Sequence, residues 1–209
     1  AWGTDEFDDL YLKAERKTSV SKTKINAQEL FFDILKERAE TGRIYIMNID
    51  HCNTHSSFKD RVYMSNLCQE ITLPTTPIQH IDGEGEIALC ILSAINVGKI
   101  NKRDELQPLC DLAVRALDEI IDHQKYPIDA AEKSTKARRS LGIGYIGLAH
   151  YLAKKGYKYD QKLAWRQVDK LTEAFQFYLL KASNDVAKEK GPCSAFKSTK
   201  YADGIMPID

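Results

Sequence analysis

An amide, a thiol and a carboxylate stand at alternate positions in one short stretch of this chain. They are Asn66, Cys68 and Glu70, within residues 65–74, whose sequence is SNLCQEITLP. Because side chains alternate along an extended chain, we expect these three to share one side, with the residues between them facing the other. A hydrogen-bonding amide, a thiol and a base are parts from which radical or nucleophilic chemistry can be built.

A second thiol, Cys90, lies in the apolar run 87–92, whose sequence is IALCIL. Most free cysteines are buried and act as small hydrophobic side chains. From spacing alone, that interpretation is favoured over chemistry for both Cys68 and Cys90.

Five blocks of sequence resemble one protein family and occur in that family's order. They are residues 41–46 (TGRIYI), 50–56 (DHCNTHS), 65–74, 85–90 (GEIALC) and 138–144 (RRSLGIG). Together they resemble the large, catalytic subunit of class I ribonucleotide reductase, and residues 65–74 resemble its active-site finger loop. The blocks span most of the chain.

The resemblance implies an α/β fold, part of a ten-stranded α/β barrel of two antiparallel halves with the finger loop inside and helices outside. We expect residues 1–209 to be a segment of that catalytic barrel domain, without an internal domain boundary. Such a segment holds the strands around the loop and several outer helices, and it is an incomplete barrel on its own.

The resemblance also implies a role for each matched residue. Cys68 resembles the cysteine that carries the thiyl radical, Glu70 the general base, and Asn66 the amide that binds the ribose. Leu67 and Gln69 belong to the same substrate-binding loop. Cys90 resembles one member of the redox-active cysteine pair, whose partner lies outside this chain.

The implied activity is reduction of ribonucleoside diphosphates to 2′-deoxyribonucleoside diphosphates for DNA precursor synthesis. Thioredoxin or glutaredoxin is the expected reductant, and a metal-containing small subunit the expected radical source. We expect no cofactor bound by this segment, ATP and dNTP effectors bound outside it, and activity only with the remaining parts of the large subunit.

Two other interpretations stay open at this point. The chain is a non-catalytic fragment that works only when assembled, or it is a small metal-binding module that uses His51, Cys52 and His55. The donor types suit zinc, but His51 and Cys52 are adjacent and no Cys-x-x-Cys half-site exists. The resemblance implies no metal here, so we predict that 51–55 is a hydrogen-bonded loop shaping the active-site wall.

The composition narrows the function classes further. Thirty basic and 30 acidic residues balance, and no Lys/Arg-rich block indicates a nucleic-acid surface. Apolar runs are too short for a membrane span, no signal peptide is recognisable, and five cysteines fit a reducing cytosol. We therefore expect a cytoplasmic protein. Because the first residue is not Met and the chain ends on Pro207-Ile208-Asp209, we also expect this chain to be a segment of a longer protein.

Capping signals and apolar spacing predict the elements that position these residues. One helix starts at Asn26, has an apolar face formed by Leu30, Phe31, Ile34 and Leu35, and ends at Gly42. Strands are predicted over 44–47 and 86–92, and further helices over 104–122, 129–138, 148–156 and 164–190. Cys110 is expected on the buried face of the 104–122 helix, whose apolar stripe is predicted to be Leu106, Leu109, Ala113, Ala116, Leu117, Ile120 and Ile121. The glycines of 142–147 match G-x-G-x-x-G, but a charged, helix-like segment precedes them. We interpret them as a packed turn and helix start, not a dinucleotide site.

Overall fold

The computed structural model describes residues 5–78 and 84–206. The chain divides into two compact units. The first unit contains the residues up to Ser56 together with Arg61–Leu73, and the second contains Ser57–Asp60 together with the residues from Pro74 onward. That residues 1–209 form one domain segment stays a prediction.

The first unit contains three helices, α1 (Asp5–Arg16), α2 (Ala27–Thr41) and α3 (Ile49–His55). The predicted caps of α2 are confirmed. The Asn26 side chain accepts the N–H of Gln28 at 3.0 Å, which satisfies a donor that the helix leaves open. Gly42 ends the helix in the left-handed conformation, at φ 65°, as glycine does most readily.

The predicted apolar face of α2 is uncovered: no residue of the helix is buried, and Phe31 is 56% exposed, because an apolar stripe is buried only where another element covers it. Two predictions for the first unit are wrong. Residues 44–47 form no strand in the described part of the chain, since a strand requires a hydrogen-bonded neighbour. Residues 51–55 are helical, as part of α3, with Asp50 and His55 placed favourably for the helix dipole.

The second unit is built on two parallel strands, β1 (Ile91–Asn96) and β2 (Leu141–Ile146). They pair from Ile91 opposite Leu141 to Asn96 opposite Ile146. Helices α4 (Leu106–His123) and α5 (Asp129–Arg138) connect the strands, as a parallel pair requires. Helices α6 (Leu148–Lys154) and α7 (Lys162–Lys190) follow. The described strands leave the sheet open, so the predicted α/β arrangement with an incomplete barrel is confirmed.

One face of the two strands packs on α4 and α7. Ile95, Leu106, Cys110 and Phe175 form the buried cluster, and the Tyr145 ring meets the Phe175 ring edge-to-face at 5.6 Å. Burial raises the pKa of the Cys110 thiol to about 11, which keeps it protonated and unreactive. The predicted burial of Cys110 is confirmed.

The predicted helices of the second unit are confirmed with small shifts. Helix α4 begins two residues late, after the 3₁₀ turn Arg103–Glu105, and α7 begins two residues early. The buried stripe of α4 is rotated from the predicted one, because Cys110 and Val114 face the sheet while Leu109 and Ile120 are exposed.

Two predictions about strands are corrected. The strand predicted over 86–92 begins only at Ile91, where the partner strand begins, and it continues to Asn96. Gly142 and Gly144 lie in β2 and not in a turn, whereas Gly147 does start a helix, at φ 78°. A dinucleotide site requires a strand before the first glycine and a helix after it. Here helix α5 precedes the glycines, as predicted, and the first two glycines lie within β2 itself.

Among the described helices, none is both long enough and apolar enough to cross a membrane.

Candidate active site

The loop that carries Asn66, Cys68 and Glu70 is folded back on itself. The N–H of Gln69 donates to the backbone oxygen of Asn66 at 3.1 Å, which closes a β-turn. Gln69 has a φ of 62°, a left-handed conformation that costs a non-glycine residue about 1 kcal/mol. The segment is therefore turned and not extended, so the side-chain alternation expected of an extended chain does not apply to it.

The turn orients the Asn66 amide. Its Oδ1 accepts the N–H of Ile71 at 3.0 Å, and because a backbone N–H can only donate, the oxygen end of the amide must face it. The amide NH₂ is then left to donate elsewhere. Leu67 is 77% exposed, and Cys68 and Glu70 are exposed as well, so the loop presents these groups at the surface of the first unit.

Asn53 of α3 holds the chain just before this loop. Its Nδ2 donates to the backbone oxygen of Val62 at 2.9 Å, and its Oδ1 accepts the N–H of Val62 at 2.8 Å. A third bond, from Nδ2 to the oxygen of Ile49 at 2.9 Å, fixes the amide on its own helix. Residues 51–55 thus have a structural role, in which the Asn53 side chain holds Val62 against α3.

Cys90 precedes β1 in the second unit and lies on the strand face opposite the helices. Built on ideal geometry, a Cβ at Gly142 would stand 2.7 Å from the Cys90 Sγ and 2.5 Å from Leu92 Cδ2. The two side chains thus share one face of the sheet, directly over the glycine. Ile95 faces the other way, into the helical core. The absence of a side chain at Gly142 is what leaves room for the Cys90 sulfur.

Gly142→Ala should displace the Cys90 sulfur while leaving the fold intact. Both groups in the way are side-chain tips that can move, so we expect a cost of about 1 kcal/mol. The displaced thiol should be alkylated severalfold faster, measured by mass spectrometry of the Cys90 peptide. Gly144→Ala is the matched control on the same strand, because a Cβ there meets nothing within 4 Å. Equal Cys90 alkylation rates in the two variants would contradict this account.

Arg138, the last residue of α5, joins two separate stretches of the second unit. Its guanidinium donates to Asp60 Oδ2 and to Glu86 Oε2, both at 2.9 Å, and stacks 5.2 Å from the Phe58 ring centre. The side chain is only 8% exposed. Burial opposes the charge, but the hydrogen bonds to Glu86 and Asp60 outweigh it and raise the pKa of Arg138. Arg138 thus anchors a segment before the loop and a segment shortly before Cys90.

A second anchor holds residues 57–60. Phe58 pairs with Thr199 in an isolated antiparallel bridge, with the N–H of Lys200 donating to the oxygen of Ser57 at 2.8 Å. Lys59 adds an ion pair with Asp203 at 2.8 Å. The chain that leads into the loop is therefore fixed within the second unit.

The structure places Asn66, Cys68 and Glu70 together in one loop of the first unit, and Cys90 in the second unit. Their roles stay predictions. Among the described residues, no three His, Cys, Asp or Glu side chains form a group that could hold a metal. His51 and His55 lie one turn apart on α3 with ring centres 6.5 Å apart, so the metal-binding module gains no support.

Sequence reasoning missed three supporting residues, Asn53, Arg138 and Gly142. All three lie within blocks that carry the family resemblance, which was the available signal. The partners of Arg138 and Gly142 are distant in sequence, however, so no local pattern could identify those two residues. The main partner of Asn53, Val62, lies nine positions away, beyond the end of its helix.

Comparisons with known proteins agree with the resemblance. The family model described as "Ribonucleotide reductase, barrel domain" matches residues 1–209. The chain is 54% identical to ribonucleoside-diphosphate reductase subunit alpha of Haemophilus influenzae over 209 residues, which is 98% of this chain and 28% of that protein. The corresponding values are 54%, 98% and 28% for ribonucleoside-diphosphate reductase 1 subunit alpha of Escherichia coli, and 39%, 98% and 27% for the subunit alpha of Enterobacteria phage T4. The chain thus spans about 28% of the length of the first two relatives.

Proposed function

Because this chain belongs to the ribonucleotide reductase barrel domain family, we propose that it supplies the reacting cysteines, amide and carboxylate of a ribonucleoside-diphosphate reductase. The observation that carries this proposal is the identity of 54% across 98% of the chain with proteins of that printed name. The substrate class, a ribonucleoside diphosphate, is taken from those names.

The chemistry begins with a radical, because the 2′-hydroxyl of ribose is a poor leaving group. A Cys68 thiyl radical takes the hydrogen atom from C3′, which forms an S–H bond and leaves a carbon radical. With the 3′-OH proton accepted by Glu70, the neighbouring 2′-hydroxyl departs with a proton as water. Two thiols supply two electrons and two hydrogens and become a disulfide. Across the cycle, ribonucleotide and two thiols give deoxyribonucleotide, disulfide and water, and the hydrogen returns from Cys68 to C3′.

The placement of each group supports this assignment. An exposed thiol and an exposed carboxylate in one tight loop can both reach a sugar bound against it. The Asn66 amide keeps its NH₂ for a ribose hydroxyl, since Oδ1 accepts the N–H of Ile71. Leu67 and Gln69 complete the binding loop. Cys90 lies beside Gly142 on the sheet face that α4 and α7 do not cover, where a bound substrate has room.

We further propose the partners that the activity requires. A metal-containing small subunit generates the radical, thioredoxin or glutaredoxin reduces the disulfide, and the second cysteine of the pair comes from outside this chain. This segment binds no cofactor of its own, ATP and dNTP effectors bind outside it, and the protein works in the cytoplasm. The largely exposed apolar face of α2 and the open sheet favour activity only when the rest of the alpha subunit covers them.

The decisive experiment compares Cys90→Ser with the wild type. The protein is assembled with the small subunit and thioredoxin, and supplied with labelled ribonucleoside diphosphate. The radical still forms at Cys68 and still attacks the ribose, but the disulfide cannot form. We expect deoxynucleotide production to fall below detection and free base to be released by breakdown of the substrate.

The matched control is Cys193→Ser, a half-buried cysteine to which no role is assigned. It should leave deoxynucleotide production within about twofold of wild type, as for a substitution away from the site. Steady deoxynucleotide formation by Cys90→Ser with thioredoxin would overturn the role of Cys90.

A further inference from the structure

A cavity of about 350 Å³ lies in the second unit, beside the residues that follow β1, the C-terminal end of α6 and the first half of α7. Five of the 13 described residues that line it are basic, and none of the 13 is acidic. The five basic lining residues are Lys102, Arg103, Lys154, Lys155 and Lys170.

In the part of the chain that the structure describes, none of these five side chains forms an ion pair. Some basic residues elsewhere in this unit do form ion pairs, as Arg115 and Lys190 pair with carboxylates at 2.6 and 3.0 Å. Lys154 donates to two neutral oxygens, Gly98 O at 3.3 Å and Asn101 Oδ1 at 2.9 Å. Its positive charge therefore stays unbalanced.

The acidic residues nearby in sequence do not change this balance. Asp104 and Glu105 follow Arg103 directly, but neither lines the cavity. Glu105 Oε2 accepts the backbone N–H of Asn101 at 3.1 Å. Five like charges around one cavity repel each other, since the Debye length is about 10 Å at 0.1 M salt. A bound anion relieves that repulsion.

Two neighbouring features add to the attraction for an anion. Leu106, the first residue of α4, lines the cavity, and the N-terminal end of an 18-residue helix carries partial positive charge. The Tyr151 ring also lines it, with the Lys155 ammonium 5.1 Å from the ring centre. That ring offers an apolar surface at the edge of the charged wall.

We propose that this cavity binds a polyphosphate anion, either inorganic triphosphate or the phosphate tail of a nucleotide, as a site additional to the effector sites outside this segment. Lysine ammonium and arginine guanidinium groups are the side chains that bind phosphate oxygens most strongly. The cavity volume falls at the lower end of the range for small-ligand sites, which suits a compact anion. The site is separate from the groups assigned to the reduction and does not depend on that assignment.

The test uses amine labelling of the complete protein, read by mass spectrometry at each lysine. Inorganic triphosphate should slow the acylation of Lys155 and Lys170 severalfold. Lys188, about 27 Å further along α7, is the control and should be unaffected. In Lys170→Gln, the triphosphate concentration that half-protects Lys155 should rise about tenfold, as for the loss of one charged hydrogen bond.

A second arm with ATP identifies the source of the phosphate. Equal protection by ATP and triphosphate assigns the site to the phosphate group alone. Stronger protection by ATP that Tyr151→Leu abolishes assigns it to a nucleotide. Lys188→Gln must leave both results unchanged, and the thermal midpoint of every variant is checked. Absent protection at Lys155 and Lys170, or equal protection at Lys188, overturns the proposal.

Discussion

Cys68→Ser should abolish deoxynucleotide formation in the assembled enzyme while the protein stays folded. An alkoxyl radical is far harder to generate than a thiyl radical, because an O–H bond is much stronger than an S–H bond. Serine therefore cannot store the radical that starts the reaction. Unlike Cys90→Ser, this variant should also release no free base, since the ribose is never attacked. The measurement is product and base release from labelled ribonucleoside diphosphate.

The fold should tolerate this change because Cys68 is exposed and its backbone lies in a turn. Cys52→Ser is the control from the same unit, a half-buried cysteine of α3. It should keep most of the activity, as the thiol of Cys52 has no proposed role. Retained turnover in Cys68→Ser would remove this residue from the mechanism.

Arg138→Ala should give the largest loss of stability among the changes considered. It leaves Glu86, whose side chain is 16% exposed, without its cation, and it removes the contact with Asp60. Breaking a buried pair by deleting one partner costs about 3 kcal/mol or more. Hydrogen exchange should quicken in residues 57–60 and 84–86, the two stretches that Arg138 joins, and the denaturation midpoint should fall.

Arg115→Ala is the matched control because it also removes an arginine with two acidic partners. The Arg115 side chain is 36% exposed and Glu189 is 53% exposed, so water and salt screen the interaction. Its loss should change the denaturation midpoint far less. The denaturation midpoint of Arg138→Lys should lie between those of the two alanine variants, since one ammonium group cannot bind both carboxylates as the forked guanidinium does. Equal effects of the two alanine variants would show that burial of Arg138 is unimportant.

Local sequence signals correctly predicted the helices whose ends are determined by neighbouring residues. Asn26 and Gly42 bound α2 as expected, and α5 has the predicted limits, because caps and helical spacing act within a few residues. The strand expected at 44–47 failed for the opposite reason. Its apolar sequence is suited to a strand, but no neighbouring strand pairs with it in the described part of the chain.

In the candidate site, too, features determined locally were predictable and features that depend on other residues were not. The types and order of Asn66, Cys68 and Glu70 were readable, whereas the turn was not, since it depends on the hydrogen bond from Ile71 to the Asn66 side chain. Asparagine at the start of a turn was a usable signal for it. Arg138 was not identifiable because its partners lie 78 and 52 positions away along the chain.

The anchoring of residues 57–60 also determines when the protein can finish folding. Lys59 pairs with Asp203, 144 positions later, and Phe58 bridges to Thr199. Closing so long a loop costs about 2 kcal/mol more chain entropy than closing one of ten residues. On the ribosome, the stretch leading to Cys68 cannot dock until the residues near 200 have emerged. Residues 57–60 are thus among the last parts of this chain to be fixed in place, after the local helices have formed.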